Sequence, residues 1–155
     1  MRIKILTAVK QSMAATFARF DQQLFVKLNP PFPPVKVVRF DGMAIGDEVH
    51  LELNFLIRKV RWVSRITEFS ETSEEIYFVD EGIELPFFLR KWHHLHKIRR
   101  RGDQAEIIDD IHFEGPIPLL TLLMYPFLYL QFLYRKPIYR KHFDTVQLQT
   151  EGEEK

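Results

Sequence analysis

There is no cysteine anywhere in the chain. Disulfides and thiolate metal sites are therefore excluded. Glycine is scarce, 6 in 155 residues, which leaves little material for loops that cradle phosphate. No nucleophile elbow and no dinucleotide fingerprint is present. An excess of one charge is lacking as well. The chain has 22 Lys and Arg against 21 Asp and Glu, a formal net charge of +1, so no global field draws nucleic acid or an acidic partner. The basic cluster Lys97, Arg99, Arg100 and Arg101 reads as a solvated turn. Met1 to Lys10 is charged and alternating, without the apolar stretch of a signal peptide, and a cytoplasmic location is expected. No internal repeat is visible.

What is present is a core. A chain of 155 residues, 46% hydrophobic and 28% charged, can fill one domain. A single domain is expected over 1–148, followed by a flexible acidic tail at 149–155. Ile3 and Ile5 alternate with Arg2 and Lys4, a first strand. Ser12 and Asp21 are positioned to cap two short helices, Met13 to Phe20 and Gln22 to Leu28. The run Asn29-Pro30-Pro31-Phe32-Pro33-Pro34 ends the second, because proline lacks the amide donor and disfavours helix in the residue before it. From Val35 the period is two. Strands are expected at Val35 to Phe40, Glu48 to Arg58, Lys59 to Phe69 and Glu75 to Glu81, then a hairpin within Phe87 to Glu114. After Pro118 the spacing returns to helical, with breaks or kinks at Pro126 and Pro137. Ile117 to Tyr134 carries no charge, and its length falls within the ~17–25 residues of a membrane helix. Its prolines, Thr121, Gln131 and scattered aromatics argue against a span. Transient membrane contact through 117–134 fits it better.

The hairpin carries the chemistry. Trp92, His94, His96 and Ile98 share one face of a strand, and His93 points away. A turn at Arg101-Gly102-Asp103 leads to a second strand with Ala105, Ile107, Asp109, Ile111 and Phe113 on one face. His94 is then expected across from Asp109 or close to it. The group can be a polar handle or acid/base pair in an apolar pocket, or a buried network that fixes strand register. Two imidazoles and a carboxylate could also hold a metal, but no second carboxylate is evident on this face. No metal and no cofactor is expected.

The element order resembles the START/SRPBCC superfamily, with its α+β helix-grip fold shared by the birch-pollen allergen and polyketide cyclases. The resemblance rests on Leu28-Asn29-Pro30, on Arg61-Trp62-Val63-Ser64-Arg65-Ile66-Thr67-Glu68, and on Phe78-Val79-Asp80-Glu81. Pro86-Phe87, Trp92-x-His94-x-His96, Asp109 with Ile111 and Phe113, Pro116 and Phe132-x-Tyr134-Arg135 complete it. It spans Ile3 to about Phe143. Ala105 stands where a threonine is common, and Pro137 interrupts the last helix. The resemblance implies a curved antiparallel sheet of about seven strands around a long C-terminal helix, with two short helices after the first strand.

It also implies a cavity between sheet and helix. The expected function is binding or transport of a hydrophobic small molecule such as a lipid, isoprenoid or polycyclic compound. The expected ligand-binding residues are Phe55, Trp62, Trp92, His94, His96, Asp109, Phe113, Tyr125 and Phe132. A cyclase- or aromatase-like enzyme using His94 and Asp109 is one alternative. A structural or partner-binding module with a filled cavity is the other.

Overall fold

The computed structural model describes residues 1–145, so the expected tail at 149–155 and the domain end at 148 lie outside the described residues. The elements are β1 (Arg2–Val9), α1 (Met13–Ala18), α2 (Gln22–Lys27), β2 (Val35–Phe40), β3 (Glu48–Phe55), β4 (Arg58–Glu71), β5 (Glu75–Glu84), β6 (Lys91–Arg101), β7 (Gln104–Glu114) and α3 (Pro118–Asp144). They form one seven-stranded sheet in the order β1-β7-β6-β5-β4-β3-β2, antiparallel throughout. Register shifts in β2/β3 and twice in β4/β5 bend the sheet. This is the α+β helix-grip architecture expected from the sequence, a curved antiparallel sheet around a long C-terminal helix.

Local chemistry sets the boundaries. The Ser12 hydroxyl accepts the Ala15 amide and starts α1, and Asp21 accepts the Leu24 amide and starts α2. Gly102 takes a left-handed φ of 62° in the two-residue β6–β7 turn, which pairs Arg101 with Gln104. Beside that turn the basic residues are less free than expected. Lys97 pairs with Glu75, and Arg99 and Arg101 pair with Glu106.

Two expectations are corrected. The strand read as Glu48 to Arg58 stops at Phe55, and Phe55 pairs with Arg58 across a tight turn. Ile57, next in the apolar alternation after Leu53 and Phe55, is 99% exposed in that turn beside Leu56, whose φ is positive. An apolar alternation continues through a hairpin tip without marking it. The second correction concerns the C-terminal helix, which is not broken. α3 runs from Pro118 to Asp144 through both Pro126 and Pro137. Each proline removes one backbone hydrogen bond, freeing the carbonyls of Leu122 and Leu133. Pro126, Pro137, Leu122 and Leu133 are all exposed, so water takes the place of the lost donors.

The inner stripe of α3 is Leu128, Phe132, Tyr139 and Phe143, all buried. The outer stripe is also apolar: Leu119, Leu122, Leu123 and Leu130 are each more than half exposed. Among the described residues, no helix is long and apolar enough to cross a membrane.

Candidate functional site

The interior divides into two apolar clusters. One gathers Val9, Phe20, Leu24, Ile66, Phe78, Ile98, Ile107, Tyr139 and Phe143 under the C-terminal half of α3. The other gathers Ile3, Ile5, Leu53, Phe88, Trp92, Ile111, Phe113, Leu128 and Phe132 under its N-terminal half. Between them, inward positions on successive strands turn polar at one level. On β4 the inward order is Trp62, Ser64, Ile66; on β6 it is Trp92, His94, His96, Ile98. On β7 Asp109 falls between Ile107 and Ile111, and on β1 Thr7 falls between Ile5 and Val9. On β5 Asp80 follows Ile76 and Phe78. Helix α3 adds Arg135 between Phe132 and Tyr139. A polar belt therefore crosses the molecule, and strand alternation places it there.

His94 is the centre of the belt. Its Nε2 lies 3.0 Å from Asp109 Oδ1, with the side chains 2% and 1% exposed. Burial pushes the His94 pKa down to about 3, with the neighbouring His96 ring adding to the effect. Burial works against the Asp109 carboxylate, but the His94 hydrogen bond and the adjacent His96 ring outweigh it and hold its pKa below the usual range. A neutral His94 thus donates Nε2–H to an ionised Asp109, since a carboxylate can only accept. His96 Nδ1 is 3.1 Å from the same oxygen. It lies off the hydrogen-bonding direction and has no hydrogen-bond partner among the described residues. The two imidazoles are 3.6 Å apart between centroids. His96 also stacks on Phe78 at 4.7 Å, and His94 meets the Phe132 ring edge-on at 5.0 Å.

Asp80 faces the histidines from β5, directly across the ladder from His94. Its Oδ1 accepts the Trp92 Nε1–H at 2.8 Å. Burial pushes its carboxyl pKa up, against the pull of His96 and the Trp92 hydrogen bond. Trp92 packs edge-on against Trp62 at 4.8 Å. The Arg135 guanidinium lies 4.2 Å over the Phe132 ring and makes no ion pair among the described residues.

Above this floor lies a cavity of about 80 Å³. Of the expected ligand-binding residues, Trp62, Trp92, His94, His96 and Phe132 line it; Asp109, Phe55, Phe113 and Tyr125 do not. Asp109 sits behind the histidines. Phe113 is sealed in the apolar cluster, 1% exposed. Phe55 joins Phe32 and Phe88 at the sheet rim. Tyr125 stacks on Tyr129, one turn further along α3. Residues missed from the sequence also line the cavity, among them Asp80, Arg135, Gln131 and Ser64. A signal for Asp80 existed: it continues the inward alternation Ile76, Phe78. A carboxylate on an apolar face is exceptional. Arg135 had no such signal, because an interrupted helix was expected there.

No family model matches the chain, and no curated protein matches it in sequence. Its likeness is to solved structures. The Zhui aromatase/cyclase from Streptomyces sp. R1128 superposes with a TM-score of 0.62 at 9% identity, over 90% of each chain. A Chromobacterium violaceum protein gives 0.63 at 16% identity, over 92% of this chain and 96% of that one. Norcoclaurine synthase from Thalictrum flavum gives 0.59 at 12% identity, over 81% and 82%. At these identities the likeness concerns the fold: the chain has the helix-grip fold that the resemblance in its sequence implied.

Proposed function

We propose that the protein binds and carries an apolar small molecule with one polar group, held between the curved sheet and α3. The observation that carries this reading is the cavity itself. Its walls include Phe25, Leu51, Leu53, Trp62, Leu128 and Phe132, while its polar groups concentrate on the belt. Apolar walls supply affinity by burial, about 25 cal/mol per Å² removed from water. The belt supplies orientation, because His96 Nδ1 has no hydrogen-bond partner among the described residues and the Arg135 side chain borders the cavity.

Size sets a condition. Pockets for drug-sized ligands are roughly 300–1,000 Å³. A cavity of about 80 Å³ must therefore enlarge to take a lipid, isoprenoid or polycyclic ring. The wall best suited to yield is the N-terminal half of α3, residues 118–134. It carries no charge, lacks one backbone hydrogen bond at Pro126 and exposes leucines outward. Transient contact of that outer face with a bilayer would bring an apolar ligand to the opening.

A cyclase-like reaction at the same floor is the second reading, and the His94–Asp109 pair favours it. The direction of the His94 shift weighs against it, however. A base held near 3 is far from the neutral pKa at which proton transfer is most efficient. Binding without turnover is the better account.

The test is native mass spectrometry of freshly purified protein with lipid extraction. A co-purifying apolar molecule is expected, displaced in the cavity-filling variant Ser64→Leu while its circular dichroism is unchanged. Absence of any bound molecule, together with no binding across a panel of fatty acids, isoprenoids and polycyclic aromatics, overturns the reading.

A further inference from the structure

The sequence offered His94 and His96 as metal ligands but no second carboxylate on their face. The ladder between β5 and β6 supplies it, since Asp80 stands opposite His94. We infer that Asp80, His94 and His96 form a binding site for one divalent transition-metal ion at the floor of the cavity. The inference does not depend on the apolar-ligand reading.

The donor geometry comes first. One ligand atom from each of the three side chains lies within 4.8 Å of the others. Bonds of about 2.0–2.2 Å place donors on one ion roughly 3–4 Å apart. Small side-chain rotations therefore close the shell. All three residues border the cavity, so the open coordination positions face it, as in sites that take an exogenous ligand.

The outer contacts agree. Asp109 holds His94 through Nε2, which leaves the Nδ1 lone pair of a neutral ring for an ion. A carboxylate behind a ligating imidazole fixes its tautomer and raises its basicity. Trp92 fixes one oxygen of Asp80; the other has no hydrogen bond among the described residues. His96 is 6% exposed and has a nitrogen with no partner. A buried polar atom left so is costly, and a metal ion that recruits the ring removes part of that cost.

Charge decides the sign of the ligand. On the belt two carboxylates, Asp80 and Asp109, lie near the Arg135 guanidinium. Arg135 opposes a cation, but two carboxylates outweigh it. Two imidazoles and one carboxylate select zinc, ferrous iron, cobalt or nickel over magnesium or calcium.

The test is titration of chelator-treated full-length protein with Co²⁺, followed by its visible absorption and by tryptophan quenching. Both tryptophans line the cavity, so an ion there quenches them. One equivalent is expected, displaced by Zn²⁺. Asp80→Asn and His96→Gln should each weaken binding by about 100-fold or more. His93→Gln with His112→Gln should leave it unchanged, because those residues lie on the opposite sheet face beside Glu81. Binding lost in that surface pair, or equal in wild type, Asp80→Asn and His96→Gln, overturns the inference. Should the buried variants lose their circular dichroism signal, the wild type decides. Absence of saturable quenching at one equivalent overturns the site, and quenching retained in the surface pair supports it.

Discussion

His94 Nε2 reaches Asp109 Oδ1 at 3.0 Å along a diagonal, although the residue directly across the ladder from Asp109 is His96. The diagonal leaves both rings beside one carboxylate and both facing the cavity. Removing the carboxylate strands a buried donor. Asp109→Ala is expected to cost about 3–4 kcal/mol in urea unfolding, from the lost hydrogen bond to a charged group plus the void. His94→Leu combined with Asp109→Leu should recover most of that, since replacing both partners strands nothing. Strictly additive losses in the double variant would contradict the coupling.

Stability should fall on acidification. His94 has a folded pKa of about 3 against 6.5 for the free side chain, so the unfolded chain binds more protons in between. This contribution is fully present above about pH 6.5 and is lost as pH falls towards 3. Asp109, also lowered, adds a loss at still lower pH. Asp80, raised by burial, pulls the other way. Thermal midpoints measured from pH 7.5 to pH 4 should decline, and His94→Leu should flatten the decline above pH 4.5. An unchanged slope in that variant would remove His94 as its source.

The two tryptophans report on the cavity. Trp62 and Trp92 are the only two in the chain, and both line it. Titration with anilinonaphthalene sulfonate should quench their emission by energy transfer, saturating at one probe per chain. Trp92→Phe keeps the ring packing but loses the bond to Asp80, and should weaken probe binding several-fold at a cost of about 1–3 kcal/mol in stability. Full quenching with no competition by fatty acids would assign the probe to a surface patch instead.

Pro137 carries a cost that a single substitution should recover. It lies exposed within a continuous helix and frees the Leu133 carbonyl. Pro137→Ala restores the donor and should stabilise the protein by about 1–3 kcal/mol, read as a raised unfolding midpoint. Destabilisation would mean that the helix depends on the bend.

The outer stripe of α3 should bind bilayers. Leu122→Glu with Leu130→Glu places charge on exposed positions, so the unfolding midpoint should hardly move. Co-sedimentation with phosphatidylcholine–phosphatidylglycerol vesicles should fall by at least several-fold. Equal sedimentation would assign no membrane role to this face.

Much of this was legible in the residues. Period-two alternation fixed which side chains of β1, β3 and β6 turn inward, because a strand has only two faces. Caps at Ser12 and Asp21 started the short helices, since their oxygens accept free amides whatever surrounds them. The pairing of His94 with Asp109 followed from one turn and a count along two strands. Three things were decided only by tertiary structure. Asp80 reached the histidines because β5 lies beside β6, and Arg135 did so because α3 crosses the sheet at that level. α3 remained continuous because its prolines fell on the wet side, where water replaces the lost donors. Asp109, Phe55 and Phe113 lie outside the cavity wall because strand alternation assigns a face but not a depth, and Tyr125 lies outside it because it stacks on Tyr129 along α3. Sequence by itself thus determined the faces and the fold; packing of distant elements decided which inward groups meet at the floor of the cavity.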